Sequence, residues 1–157
     1  MIGKMRRKEK EITDIKEIEA VIQKAEVCRL GLAVGDTPYV IPVNYGYEDN
    51  CLYIHCAKKG RKLDMIKQNN TVCFEMDIDA EIKDRDRPAC DWSTTFRSVI
   101  GYGEAFFVEE SDQKKKALDI IMRHYSDTTS FEYGKDAIGN VFIIKIRITH
   151  LSGKKSG

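Results

Sequence analysis

The sequence lacks any long apolar run. None of its hydrophobic stretches approaches the ~20 residues that a membrane-crossing helix needs. The N-terminal MIGKMRRKEKEITD carries charge where a secretory leader would carry an apolar segment. There is no excess of charge of one sign: 26 Lys and Arg against 25 Asp and Glu leave a formal net charge of +1. A general nucleic-acid binder usually shows a basic surplus, so neither nucleic acid nor membrane is an expected partner. Cysteine is present five times, at Cys28, Cys51, Cys56, Cys73 and Cys90, but never as CxxC. The odd number and the spacing exclude a zinc or dithiol motif and leave reduced thiols that pack as small hydrophobes. Only Cys56 and Cys90 stay open to a catalytic or ligating role. HExxH, the P-loop, GxGxxG and a Ser-His-Asp order are all missing, and no metal site is expected. The expectation is a cytoplasmic protein whose 157 residues form one domain, with residues 1–10 and 152–157 frayed.

What is present is a strand-rich pattern. DIKEIEAVIQKA (14–25) spaces Ile15, Ile18, Val21, Ile22 and Ala25 on one helix face, with Asp14 and Glu17 set as a capping box. CRLGLAV (28–34), YVIPVNYGY (39–47) and CLYIHC (51–56), separated by GDTP and EDN, predict a three-strand meander. Pro42 costs the middle strand a ladder donor and asks for an edge or a bulge. A short helix over 61–69 and a strand over 71–79 follow, then a charged loop over 81–92. A long strand spans 96–110, with glycines at 101 and 103 that let it bend or let something approach its backbone. A helix capped by Ser111 covers 112–126, and a last strand covers 141–151. Six sequential, mostly antiparallel strands with helices outside suit a small closed or partly closed barrel.

Three stretches could carry chemistry. In HCAKKGRK (55–62), Lys58, Lys59, Arg61 and Lys62 crowd the N-terminus of a helix, where unpaired N–H groups and the dipole already supply positive charge. A phosphate would relieve that crowding: Arg61 as a fork, Lys62 as a point charge, Gly60 by letting the backbone come close. A solvated basic turn is the other reading. In PYVIPVNYGY (38–47), the backbone beside Pro42 and Val43, with Asn44 and Tyr45, could meet the edge and face of a flat heteroaromatic ring. In WSTTFRSVIGYG (92–103), Ser98 and the backbone at Val99 and Ile100 could do the same, with Trp92 covering a pocket or a partner. Each of these two is equally readable as an ordinary strand. His55 carries an imidazole, the side-chain type best suited to proton transfer, and is the most reactive-looking side chain, although a strand histidine is commonly structural.

Together, RLGLAVGDTPYVIPVNYGY, LYIHCAKKGRKLDMI and CDWSTTFRSVIGYGEA resemble the pyridoxamine 5'-phosphate oxidase-like FMN-binding split barrels, in particular the nitroimidazole-resistance (Nim) or nitroimidazole-reductase branch. The likeness spans roughly residues 5 to 150. It implies a mainly β, six-stranded antiparallel barrel with peripheral helices, assembled as a homodimer with FMN in clefts between subunits. By position, Arg61 and Lys62, with Lys59 and Gly60, would grip the flavin phosphate. Pro42, Val43, Asn44 and Tyr45 would line the isoalloxazine, joined by Ser98, Val99 and Ile100, with Trp92 at the pocket mouth. His55 would stand beside the flavin and protonate an acceptor. The implied activity is reduction of small electrophiles such as nitroimidazoles, with NAD(P)H or another reductant as donor. A non-enzymatic FMN-binding or redox-sensing protein, or a haem-binding split barrel using His55 or His150, are the alternatives. The substrate-binding Arg/His signature of true pyridoxamine phosphate oxidases is not recognisable in NVFIIKIRITHLSGKKSG (140–157), which argues against vitamin B6 oxidation.

Overall fold

The computed structural model describes residues 3–134 and 136–157. Helix α1 (Ile15–Lys24) is opened by Asp14, whose carboxylate accepts from the Lys16 amide at 2.9 Å, and it buries Ile18, Val21 and Ile22. Ile15, predicted on the same face, is exposed. Strands β2 (Cys28–Val34) and β3 (Thr37–Val43) form a hairpin. A second hairpin, β4 (Gly46–Glu48) and β5 (Cys51–Cys56), turns on Asp49 and Asn50, both at positive φ, which matches a tight two-residue turn. Helix α2 (Arg61–Gln68), β6 (Thr71–Lys83), β7 (Ser93–Val108), α3 (Ser111–Tyr125), the one-turn α4 (Ala137–Asn140) and β8 (Phe142–Ser156) complete the chain, and a two-residue β1 (Glu11–Ile12) joins β8. No helix among the described residues is long and apolar enough to cross a membrane.

The sheet order is β3-β2-β6-β7-β8-β5-β4 with every pair antiparallel, so the fold is mainly β with peripheral helices, as expected. The meander is not what forms. The predicted strand 39–47 breaks at Asn44–Tyr45 into β3 and β4, which lie at opposite edges of the sheet. Two residues thus join the two edges, so the sheet must curl round on itself. The six predicted strands become eight by this split and by the addition of β1. Pro42 sits on an edge strand, where its missing donor costs nothing.

Period-2 patterning sends Leu30, Leu32, Val72, Phe74, Met76, Val99, Ile144 and Ile146 into one core, which α1 closes from one end with Ile18, Val21 and Ile22. A smaller cluster forms outside the barrel, where Ala117, Leu118 and Ile121 of α3 cover Ile143 of β8. Gly101 answers the question of what approaches its backbone: a Cβ there would stand 2.1 Å from Cζ of Phe74, so the space belongs to the protein's own core ring.

Three further expectations are corrected. The 81–92 loop is strand as far as Lys83, because a bulge at Asp79 (φ 56°) lets β6 and β7 run on as a two-stranded ribbon. Both faces of such a ribbon are wet, so it carries no apolar alternation to mark it. Ser111 is not the cap of α3: Glu110 holds the extended cap conformation and its carbonyl accepts from the Lys114 amide. The tail from Gly153 to Ser156 does not fray, since it pairs with β7 on one side and β1 on the other. At the other end, Lys8–Lys10 form a 3-10 turn, and the Lys10 ammonium donates to Ser156 at 2.8 Å. The expected fraying of residues 1 and 2 lies outside the described residues.

Candidate functional site: a basic helix start beside an open strand edge

The chain leaves β5 at Cys56, turns through Ala57–Gly60 and enters α2. Gly60 holds φ 146° and ψ 160°, a conformation open essentially only to glycine. Nothing lies within 4 Å of where its Cβ would be, so backbone geometry rather than crowding asks for glycine there. No side chain caps α2, and its first amides face outward without an intrahelical partner. Lys58, Lys59 and Arg61 are exposed around them and Lys62 is half-buried. Among the described residues no carboxylate lies within ion-pair distance of any of these four, whereas Arg29, Arg87, Arg97, Arg123 and Arg147 all have such partners. Lys62 lies close enough to Cys56 to oppose the upward pKa shift that burial causes in that thiol.

Leu63, Met65 and Ile66 anchor α2 in the core, and the Asn69 side chain donates from Nδ2 to the Ala33 carbonyl at 3.0 Å. This pins the helix against the β2–β3 hairpin. The guanidinium of Arg61 consequently lies over the ring of Tyr39 on β3, 4.5 Å from its centroid. β3 is an edge strand, so half its peptide groups have no ladder partner. Farther along the same strand, Pro42 is exposed and Val43 buried, and Asn44 is exposed just beyond its end. His55 is exposed on β5, opposite Ile143, and leads directly into the basic turn.

The remaining predicted residues stand elsewhere. Tyr45 is fully buried, and its hydroxyl faces α1, toward the carbonyls of Ile22 and Ala25. Val99 points into the core, while Ser98 and Ile100 flank it on the outer face. The register runs Pro42, Arg29, Glu75, Ile100, so Ile100 is three strand spacings from Pro42, about 14 Å. Trp92 is 47% exposed at the loop end of the ribbon and donates from its indole to the Arg87 carbonyl at 3.0 Å. Within one chain, therefore, the phosphate candidates and the β3 edge come together, and Ser98, Ile100 and Trp92 do not join them. Between the two groups lies a cluster that sequence reasoning missed. Arg29 bonds Glu75 at 3.0 Å and Asp77 at 2.5 Å on the outer face, and burial raises the Glu75 carboxyl against the opposing pull of Arg29. Its only sequence signal was the alternation of acids in FEMDID (74–79).

The profile of the pyridoxamine 5'-phosphate oxidase family matches residues 14–155. The chain belongs to that family. Among solved structures, this family member is similar to a protein from Bacteroides thetaiotaomicron VPI-5482 named for 5-nitroimidazole antibiotic resistance, at 34% identity and TM-score 0.82, over 92% of this chain and 86% of that one. The flavocytochrome Anf3 from Azotobacter vinelandii shares the fold at 18% identity and TM-score 0.83, over 99% of this chain and 73% of that one. The FAD and heme binding protein from Mycobacterium smegmatis does so at 16% identity and TM-score 0.82, over 94% and 73%. No curated protein matches the chain.

Proposed function

We propose that this family member binds FMN and works as a homodimeric, flavin-dependent reductase of small electrophilic molecules such as nitroimidazoles. The observation that carries this reading is the cluster of Lys58, Lys59, Arg61 and Lys62 on the uncapped start of α2, none of them in an ion pair among the described residues although Asp64 shares that first turn, beside the unpaired edge of β3. Four cations at the positive end of a helix dipole are self-repelling unless an anion joins them. A phosphate monoester fits, and the free peptide groups of β3 near Pro42 and Val43 fit the polar edge of a flat ring. FMN, when bound, supplies reversible hydride or electron transfer. The chain's own part is to hold the phosphate, to orient the ring along β3, and to deliver a proton from His55 to the reduced acceptor. Lacking a dinucleotide fingerprint, the protein would take NAD(P)H or another reductant on the open face of the ring. The 34%-identical relative supports the nitroaromatic substrate class by its name.

Homodimerisation is part of the proposal. Among the described residues no helix covers Val40 or Ile100 on the outer face of β3-β2-β6-β7, where they are 67% and 43% exposed. Phe96, Ser98, Ile100, Tyr102 and Phe106 face outward along β7, with the ion-paired Glu104 between the last two and Trp92 just before the strand. A second copy packed on this face would cover these residues and bring Ser98, Ile100 and Trp92 to the other subunit's β3 edge.

The test is a flavin titration followed by turnover. Arg61→Ala with Lys62→Ala removes two charge-assisted contacts of about 1.5–3 kcal/mol each, a weakening of about 10²–10⁴-fold. Unchanged FMN affinity would sink the phosphate site. Consumption of NAD(P)H that depends on a nitroimidazole separates the reductase from a non-enzymatic flavin carrier.

A further inference from the structure

We infer that Tyr39 is a positioning residue for phosphate recognition: its ring is the platform that sets the plane and direction of the Arg61 guanidinium. This rests on the proposed phosphate site and names a residue beyond it. Tyr39 is half-buried, its ring packs against the main core, and its backbone is held in the β2–β3 ladder opposite Leu32. It is therefore a fixed surface. Arg61 is the first residue of α2, exposed, and without an ion-pair partner among the described residues; its contact is this ring, 4.5 Å from guanidinium carbon to centroid. An arginine with no partner would sample many rotamers, and a ligand would have to select one of them. Stacking uses the face of the guanidinium and leaves its in-plane N–H groups free. Those are the groups a phosphate takes in a fork. The contact thus prepares Arg61 before the anion arrives, and affinity gains because less freedom is lost on binding. The platform is on β3 and the arginine on α2, so the same contact ties the phosphate end of the site to the strand along which the ring of the flavin would lie.

The consequence is selective. Tyr39 should matter for phosphorylated flavins and not for riboflavin, which lacks the group Arg61 holds. The experiment is fluorescence titration of the full-length apoprotein with FMN and with riboflavin. The variants are Tyr39→Phe, Tyr39→Leu, Arg61→Ala and the double variant Tyr39→Leu/Arg61→Ala, each with a thermal melt. Tyr39→Leu is expected to raise the FMN dissociation constant about 3- to 10-fold. Tyr39→Phe keeps the platform and should match the parent. Riboflavin affinity should be the same in all four variants. In the Arg61→Ala background, Tyr39→Leu should add nothing. The inference is overturned if Tyr39→Leu weakens riboflavin as much as FMN, which would mark a packing role, or if it weakens FMN equally with Arg61 absent. If Tyr39→Leu melts too low to titrate, Tyr39→Phe and Tyr39→Trp decide: both must keep FMN selectivity over riboflavin, and loss in either refutes the platform. Failure of the phosphate site itself looks different, because Arg61→Ala would then leave FMN binding unchanged.

Discussion

Replacing Tyr45 by phenylalanine isolates one hydroxyl at the end of a helix. The ring stays in place, so the only space opened is that of one oxygen atom. What goes is a donor to the carbonyls of Ile22 and Ala25, the latter at 2.8 Å. These carbonyls belong to the C-terminal end of α1, where helical carbonyls lack amide partners. The Ala25 carbonyl keeps a second donor, Nε2 of His124 at 2.7 Å, and the Glu26 carbonyl keeps the Tyr125 hydroxyl, also at 2.7 Å. The Ile22 carbonyl loses its side-chain donor in a dry place. The loss is one net hydrogen bond of about 1 kcal/mol plus part of the desolvation cost of an unsatisfied carbonyl, together about 1.5–2.5 kcal/mol. For a chain of this size that corresponds to a drop in Tm of roughly 3–10 °C. Thermal and urea unfolding followed by circular dichroism would measure it. Tyr47→Phe, whose half-buried hydroxyl donates to Glu19 at 2.8 Å, should lose less, about 0.5–1 kcal/mol. A loss below about 0.5 kcal/mol in Tyr45→Phe would refute the capping role. FMN affinity should not change, since the phenol faces α1; a clear weakening would return Tyr45 to the ring-binding set.

Gly101→Ala forces a Cβ to within 2.1 Å of the Phe74 ring in the core, and a stability loss of about 1–3 kcal/mol in urea unfolding is expected, relieved by Phe74→Leu. Burial pushes the Cys28 thiol from 9.0 up to about 12, so its stabilising contribution is complete below pH 9 and is lost as pH rises toward 12. Cys28→Ala should lose about 1 kcal/mol less than the parent between pH 9 and pH 10, and parallel pH profiles would contradict this. With a thiol reagent at pH 8, exposed Cys90 should react at once and Cys28 only on unfolding. Val40→Glu with Ile100→Arg, on the uncovered outer face, should convert a dimer to a monomer in light scattering; a parent that is already monomeric would reject the assembly.

Much of the element plan was legible because each piece meets water on one side and core on the other. The spacing of Ile18, Val21 and Ile22 marks α1, and the alternation in CRLGLAV and TVCFEM marks β2 and β6. The basic turn before α2 was legible too, since crowded cations at a helix start are a local conflict that the sequence alone exposes. The ribbon past Asp79 was not, because a strand wet on both faces carries no alternation, and the tail past Leu151 was not, because its inward residue is Gly153, which has no side chain to mark the buried face. The sequence by itself determined the amphipathic helices, the strands with one apolar face and which face that is, and where an anion would be welcome. Only the tertiary structure decided that YVIPVNYGY parts into two strands at opposite edges, that Tyr45 turns its hydroxyl to α1, and that Tyr39 lies under Arg61. The last two depend on contacts between residues some twenty positions apart, and the first on strand pairings as distant as β5 with β8, all set by how the sheet curls and where the helices close it. No local pattern records that geometry.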